Sequence, residues 1–246
     1  MNVRLEVRDH VAWLTLDGPA NRNALDETSA AALVEACETV DADPAVGAAV
    51  VTGAGGAFCS GADRSVLRGL SQCAADRIYD RLDALYRAFQ RFGELKVPTV
   101  AAVEGAAVGA GLNLALAADV VVAADDALLV PGFAENGIHP GGGHLHLLAH
   151  KGSRQIASAL GIFGERTTGA RAAQLGLVWQ AVPAAELAGT AHELARRVAA
   201  DAPLARALKN SLRLTTSDQA DWRAAIEVER ARQMWSVARR NGKGPQ

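Results

Sequence analysis

The chain has 246 residues, of which 50% are hydrophobic, and a formal net charge of −2. This composition predicts a folded α/β chain with a sizeable core and excludes an intrinsically disordered one. The nearly balanced charge argues against a nucleic-acid surface or a polybasic membrane patch. We therefore expect neither nucleic acid nor a membrane as a partner.

The predicted elements alternate between strands and helices along the first part of the chain. Strands are predicted at 3–7 and 11–16, followed by a loop at 18–23 and a helix capped by Asp26 that ends near Pro44. Further elements follow in the order strand 46–52, helix 71–92, a strand opened by Pro98, helix 112–118, and strand-like runs at 120–122 and 128–130. This order predicts parallel β units joined by crossover helices.

From about residue 152 the pattern becomes mostly helical, with one strand-like piece at 177–182. We predict an α/β core over residues 1–190 and a helical oligomerisation region over 191–246. The three cysteines, Cys37, Cys59 and Cys73, show no paired spacing. Together with the absence of an apolar targeting core, this indicates a reducing, cytoplasmic setting.

Two turns rich in small residues each follow a strand-like run. The first lies at 53–63 and the second at 105–111, where it opens a helix-like run. Turns without bulky side chains let a ligand approach the backbone, and unpaired N–H groups at a helix start favour negative charge. Two such donors that converge on one oxygen would form an oxyanion hole.

Five further motifs follow one another along the chain: Asn23-Ala24-Leu25, the run 57–63, Gly105 with Gly109-Ala110-Gly111, Ala118-Asp119, and the turn 140–143. In this order and at this spacing, they resemble the crotonase (enoyl-CoA hydratase/isomerase) superfamily, and the resemblance extends over residues 3–236. The resemblance implies a spiral of ββα units with a C-terminal helical region, assembled as trimers or hexamers. It also implies an acyl-CoA substrate. Coenzyme A would enter as part of that substrate, and no separate cofactor is expected.

By this resemblance, the oxyanion-hole donors would be the N–H groups of Ala62 and Ala110. Ser60, Ala62 and Asp63 would contact coenzyme A, and Arg22 would approach its phosphates. Taken singly, these residues have simpler interpretations. Asp63 can cap the following helix, and Arg22 can be a solvated surface charge.

Hydratases of this family use two glutamates for proton transfer, and neither is present. Their positions are Asn113, three residues beyond Ala110, and Phe133, seven residues before Pro140. An amide cannot act as a base and a phenyl ring cannot transfer a proton, so standard hydration is not expected. Glu135 is the nearest acid, but two residues along a helix would aim it away from the substrate, which favours a structural role.

Four histidines lie close together in the sequence: His139, His144, His146 and His150. His139 and His144 flank the glycine-rich turn 140–143, and either imidazole could replace a missing glutamate because it titrates near neutral pH. His146 and His150 have the i,i+4 spacing of a zinc pair on a helix, but no third ligand is evident. We therefore predict no metal.

The resemblance implies a protein of the enoyl-CoA hydratase/isomerase type, a lyase or isomerase of fatty acid metabolism, that polarises an acyl-CoA carbonyl. Two alternatives remain open: an acyl-CoA-binding protein without catalysis, and an enzyme that uses His139 or His144. A serine hydrolase is disfavoured because Ser60 lacks a Gly-x-Ser-x-Gly elbow. Four apolar side chains are candidates for lining the acyl pocket and can equally be plain core residues: Leu67, Leu70, Ile78 and Leu82.

Overall fold

The structure is a computed structural model that describes residues 1–70, 74–216 and 221–241. Its strands are β1 (Asn2–Arg8), β2 (Val11–Asp17), β3 (Ala48–Gly53), β4 (Thr99–Val103), β5 (Ala106–Val108), β6 (Val120–Ala124), β7 (Leu128–Val130), β8 (Thr167–Thr168) and β9 (Gln180–Val182). Its helices are α1 (Glu27–Ala42), α2 (Arg64–Leu70), α3 (Ala75–Gly93), α4 (Ala110–Ala117), α5 (His144–Lys151), α6 (Arg154–Ala157), α7 (Gly169–Gln174), α8 (Ala184–Ala199), α9 (Ala202–Thr215) and α10 (Trp222–Asn241).

The strands form two sheets. The larger has six strands in the order β1-β2-β3-β4-β6-β9, and the smaller has three in the order β5-β7-β8. Only β1 runs antiparallel to its neighbour in the larger sheet, whereas the remaining pairs there are parallel. The predicted parallel units with crossover helices are therefore confirmed.

Local sequence signals set the first elements. Asp9 and His10 both have positive φ, which suits a two-residue hairpin turn between β1 and β2. The Asp26 carboxylate accepts a hydrogen bond from the Ser29 N–H at 2.7 Å, while the Ser29 hydroxyl accepts one from the Asp26 N–H. This capping box starts α1 at the predicted residue.

Several predicted boundaries are shifted in the structure. The strand predicted at 46–52 spans Ala48–Gly53, and the helix predicted at 112–118 starts earlier, at Ala110, directly after Gly109 with its positive φ. The helix predicted at 71–92 spans Ala75–Gly93 and begins after the extended residue Ala74, whereas 71–73 lie outside the described residues. The short strand Thr167–Thr168 was not predicted, because two residues show no periodicity.

The core lies around the larger sheet. All residues of β4 are buried, and α8 packs against β2, β3, β4 and β6. The predicted boundary at residue 190 falls inside α8, and the oligomerisation role of residues 191–246 stays a prediction. Among the described residues, no helix combines the length and apolar character needed to span a bilayer.

An ion pair in the interior ties α9 to the sheet. Lys209 is 4% exposed, and its Nζ lies 2.9 Å from Asp119 Oδ2. The same carboxylate oxygen accepts the Thr99 N–H at 2.8 Å. Asp119, which directly precedes β6, therefore holds the first residue of β4 through the Thr99 N–H and balances the charge of the buried Lys209.

Candidate active site

The two turns of small residues pack backbone to backbone. The Cys59 N–H donates to the Ala106 carbonyl at 3.0 Å, and the Val108 N–H donates to the Cys59 carbonyl at 2.9 Å. A Cβ on Gly61 would lie 2.7 Å from the Val108 carbonyl oxygen, and one on Gly111 would lie 2.2 Å from that of Cys59. Glycine at these positions is therefore what allows the turns to meet.

Ala62 and Ala110 lie at this junction, and both are half-buried. Ala62 pairs with Leu25 in a parallel bridge, whose hydrogen bonds use Gly61 O and Asp63 N. In that pattern, the N–H of Ala62 itself points to the opposite side. Ala110 is the first residue of α4, so its N–H has no acceptor one turn back.

Within the described part of the chain, neither the Ala62 N–H nor the Ala110 N–H has a backbone or side-chain acceptor. The position of a Cβ on Gly61 is 3.6 Å from the Ala110 nitrogen, so the two peptides are close neighbours. The arrangement thus leaves two neighbouring peptide N–H groups without an acceptor among the described residues, one of them at the positive end of a helix.

The loop before α1 is attached to the first turn. The Ser60 N–H donates to the Arg22 carbonyl at 2.9 Å, and the Ser60 hydroxyl donates to the Asn21 carbonyl at 3.0 Å. Arg22 has a left-handed backbone conformation and is exposed, as an interaction with a phosphate in solution would require. Its alternative interpretation as a surface charge is equally compatible with this position.

Asn23, whose role the sequence does not reveal, is the main link between loop and turn. Its side chain is fully buried, and Nδ2 donates to the carbonyls of Ala54 at 2.9 Å and Ala57 at 2.7 Å. Its Oδ1 accepts the Gly18 N–H at 2.8 Å. Asn23 therefore supports the turn that carries Ala62.

Asp63 acts as a helix cap. Its Oδ1 accepts hydrogen bonds from the Ser65 hydroxyl at 2.6 Å and the Ser65 N–H at 2.8 Å. These bonds hold the pKa of Asp63 below its ordinary value. The geometry matches the simpler interpretation of Asp63, and its contact with coenzyme A stays a prediction.

The two positions expected to hold glutamates both contact His144. Asn113 Oδ1 lies 2.7 Å from His144 Nδ1, while Asn113 Nδ2 donates to the Gly141 carbonyl at 3.0 Å. The Phe133 ring also packs against His144, with its centroid 4.8 Å from that of the imidazole. Asn113 and His144 are each 1% exposed.

This network sets the tautomer of His144. The Gly141 carbonyl can only accept, so the amide group that faces it must be the NH2 of Asn113. Asn113 therefore presents its oxygen to His144, and Nδ1 carries the proton. The remaining lone pair is on Nε2, which is buried and has no partner among the described residues. Burial lowers the pKa of His144 to about 4, so the ring is neutral at pH 7.

The remaining polar candidates lie outside this network. His139 is exposed, with Nδ1 2.7 Å from the Pro140 carbonyl oxygen. The ring centroids of His146 and His150 are 4.0 Å apart. Within the described ranges, no group of three metal-ligating side chains occurs. Glu135 pairs with Arg166 on the surface at 2.6 Å, which agrees with its expected structural role.

The glycine-rich turn 140–143 borders an open groove of about 670 Å³ between α3, α4 and α5. Tyr86 and Phe89 line it, and a Cβ on Gly142 would lie 2.4 Å from the Phe89 ring. Of the predicted pocket residues, Ile78 and Leu82 are half-buried on α3 but do not line this groove. The side chains of Leu67 and Leu70 lie outside the described part of the structure.

Comparisons with known proteins agree on one family. The enoyl-CoA hydratase/isomerase family model matches residues 6–246. The chain is 46% identical over 162 residues to a probable enoyl-CoA hydratase, EchA14, of Mycobacterium tuberculosis, a match that covers 66% of this chain and only 62% of that protein. It is 33% identical to the 1,2-epoxyphenylacetyl-CoA isomerase of Escherichia coli, with 78% of this chain and 74% of that protein covered.

Among solved structures, an enoyl-CoA hydratase from Polaromonas sp. JS666 superposes with a TM-score of 0.89 at 31% identity. The superposition covers 98% of this chain and 94% of that one. The α/β fold expected from the resemblance is thereby confirmed as the fold of such proteins.

Proposed function

Because this chain belongs to the enoyl-CoA hydratase/isomerase family, we propose that it binds an acyl-CoA thioester and polarises the thioester carbonyl between the N–H groups of Ala62 and Ala110. The observation that carries this proposal is the closeness of the Ala62 and Ala110 peptides, whose N–H groups have no acceptor in the described part of the chain. Such donors stabilise negative charge that develops on a carbonyl oxygen.

The coenzyme A part is proposed to lie along the loop that reaches Ser60 and Asp63. Arg22 is exposed beside this loop and would meet phosphate groups. The charge-assisted contact of a guanidinium with a phosphate would add affinity without any role in the chemistry. Coenzyme A would enter as part of the substrate, and no further cofactor is proposed.

Two-glutamate hydration is not part of this proposal. Asn113 and Phe133 occupy the positions of both carboxylates, and the His144 ring contacts the two side chains. Glu135 forms an ion pair with Arg166 on the surface and offers no substitute. What we propose is therefore an acyl-CoA protein of the hydratase/isomerase type with a different proton-transfer group, or with none.

A homotrimer or hexamer is proposed by analogy with the family. Large apolar side chains that a monomer exposes support this, including Phe163 at 80% and Trp179 at 73%. Sedimentation equilibrium would test it, and a monomer at micromolar concentration would contradict it.

A matched pair of ligands tests the carbonyl-binding role. An acyl-CoA thioester and the thioether of the same chain length differ in the carbonyl oxygen but share all coenzyme A contacts. We expect calorimetry to show tighter binding of the thioester, by about tenfold for one or two charge-assisted hydrogen bonds. Equal affinity would contradict the oxyanion hole, and no binding of either ligand would contradict the whole proposal.

A further inference from the structure

His144 presents an unused lone pair in the interior. Among the described residues, the buried side-chain atoms without a hydrogen-bond partner are His144 Nε2 and Ser211 Oγ. A buried acceptor without a donor costs free energy and is uncommon in native structures. Nδ1 of the same ring is held by Asn113, so the ring cannot turn Nε2 towards another donor without breaking that bond.

One side chain, that of Phe133, separates the His144 imidazole from the proposed oxyanion hole. The Phe133 ring contacts the His144 ring, and its Cζ would be 3.8 Å from a Cβ on Gly109. Gly109 directly precedes Ala110, whose N–H is a proposed donor. The Phe133 side chain therefore spans the distance between the imidazole and the turn that would hold the thioester oxygen.

We propose, on the basis of the proposed function, that His144 is the proton acceptor of the acyl-CoA site and takes the α-proton of the bound thioester on Nε2. The C–H electron pair becomes the C=C bond of an enolate, and the carbonyl π pair moves to the oxygen held by the Ala62 and Ala110 N–H groups. The imidazolium then exchanges its proton with solvent along the opened path and returns a solvent-derived proton to carbon. Rotation of the half-buried Phe133 ring opens the path.

The surroundings of His144 suit this step. Asn113 accepts the hydrogen bond from Nδ1 in both the neutral and the cationic state, so the ring keeps its orientation throughout. In the free protein, burial disfavours the imidazolium. The enolate oxygen forms at the same moment as the imidazolium, and the attraction between the two opposite charges offsets that burial. No oxidant, metal or second acid is needed.

Deuterium exchange measures the step directly. A saturated acyl-CoA is incubated with the protein in D2O, and α-deuterium incorporation is followed by mass spectrometry, with binding measured in parallel. We expect exchange by the wild type and a loss of about 100-fold or more in His144→Gln and His144→Ala, with Kd changed less than about threefold. His150→Ala, which alters an exposed imidazole outside the network, is the matched control and should exchange normally.

The possible outcomes separate the two proposals. Binding without exchange by the wild type, or undiminished exchange by the His144 variants, overturns the role of His144 and leaves acyl-CoA binding intact. Failure of the wild type to bind overturns the proposed function itself. The rate of exchange should also fall in acid, because protonation of the free His144 imidazole removes the proton acceptor. A purely structural role of His144 would not give the exchange rate this pH dependence.

A measurement on the wild type covers the case in which the variants do not fold. Nitrogen-15 NMR distinguishes a protonated ring nitrogen from one with a free lone pair. We expect Nδ1 to be protonated and Nε2 unprotonated at neutral pH, and the Nε2 resonance to shift when an acyl-CoA binds. A proton on Nε2 would overturn the proposal, because that nitrogen could not then accept another.

Discussion

Asn113 Oδ1 lies 2.7 Å from His144 Nδ1, and this contact joins α4, which starts at a proposed oxyanion donor, to α5, which starts after the glycine-rich turn. The bond is neutral on both sides, because Asn113 carries no charge and burial keeps the imidazole deprotonated at pH 7. A carboxylate at position 113 would instead favour the imidazolium. The charge state of His144 therefore depends on which residue occupies this position.

Asn113→Asp should raise the pKa of His144 from about 4 towards or beyond its ordinary value of 6.5. The new carboxylate would accept the Nδ1 proton and stabilise the positive ring. An NMR titration of the ring protons measures this change. Asn113→Ala, which removes the acceptor without adding charge, is the control and should leave the pKa of His144 low. A low pKa of His144 in Asn113→Asp as well would contradict the contact between residue 113 and the imidazole.

The free energy of unfolding should decrease in acid because of His144. Its pKa is about 4 in the folded chain against an ordinary 6.5, so between these values the unfolded chain binds a proton that the folded chain does not. Stability is unaffected by this group above pH 6.5 and falls as the pH drops to 4. The loss is about 3 kcal/mol for a difference of this size.

Chemical denaturation of the wild type and His144→Gln at about pH 7 and about pH 4.5 measures this effect. The glutamine variant cannot titrate there, so its stability should depend less on pH than that of the wild type. Carboxylates titrate equally in both proteins and cancel in the comparison. Parallel curves for the two proteins would show that His144 is not buried as a neutral ring.

Much of the fold followed from periodicity and from local signals. The N-cap at Asp26, the strand at 120–122 and the parallel alternation were all predictable, because each depends on neighbouring residues. The contact between His144 and Asn113 was not, since it joins residues far apart in the chain through tertiary packing. His144 and His139 flank the same turn, and their sequence positions did not show that one would be buried and the other exposed.

The role of Asn23 was also hidden from sequence analysis. A polar residue between two turns is typical of an exposed loop, yet Asn23 is fully buried and bonded to four backbone groups at 2.7 to 3.3 Å. Three of these groups belong to a turn that begins about thirty residues later, and only the folded backbone brings them within reach.

Ala110→Pro should remove one proposed oxyanion donor while keeping the helix. Proline is tolerated at the first position of a helix, where the missing N–H has no intrahelical acceptor. We expect the preference for thioester over thioether to be lost, and any α-proton exchange to fall about 100- to 1000-fold. Ala110→Gly retains the N–H and is the control. An unchanged thioester preference in the proline variant would contradict the assignment of Ala110.

Asn23→Ala should destabilise the chain and weaken acyl-CoA binding together. The substitution leaves the Gly18 N–H and the carbonyls of Ala54 and Ala57 without their partner in the interior. It also places alanine at φ 58°, a conformation that L side chains disfavour. We expect a loss of about 2–4 kcal/mol in the free energy of unfolding.

Asn21→Ala is the matched control for this substitution, because Asn21 lies in the same loop and, among the described residues, its exposed side chain bonds to Asp63 alone, at 3.4 Å. That variant should change stability by less than about 0.5 kcal/mol. The decisive comparison is acyl-CoA affinity at a temperature where both variants remain folded. Because Asn23 supports the turn that carries Ala62, Asn23→Ala should bind acyl-CoA more weakly than Asn21→Ala at that temperature. Equal affinities of the two variants would show that this support does not affect acyl-CoA binding.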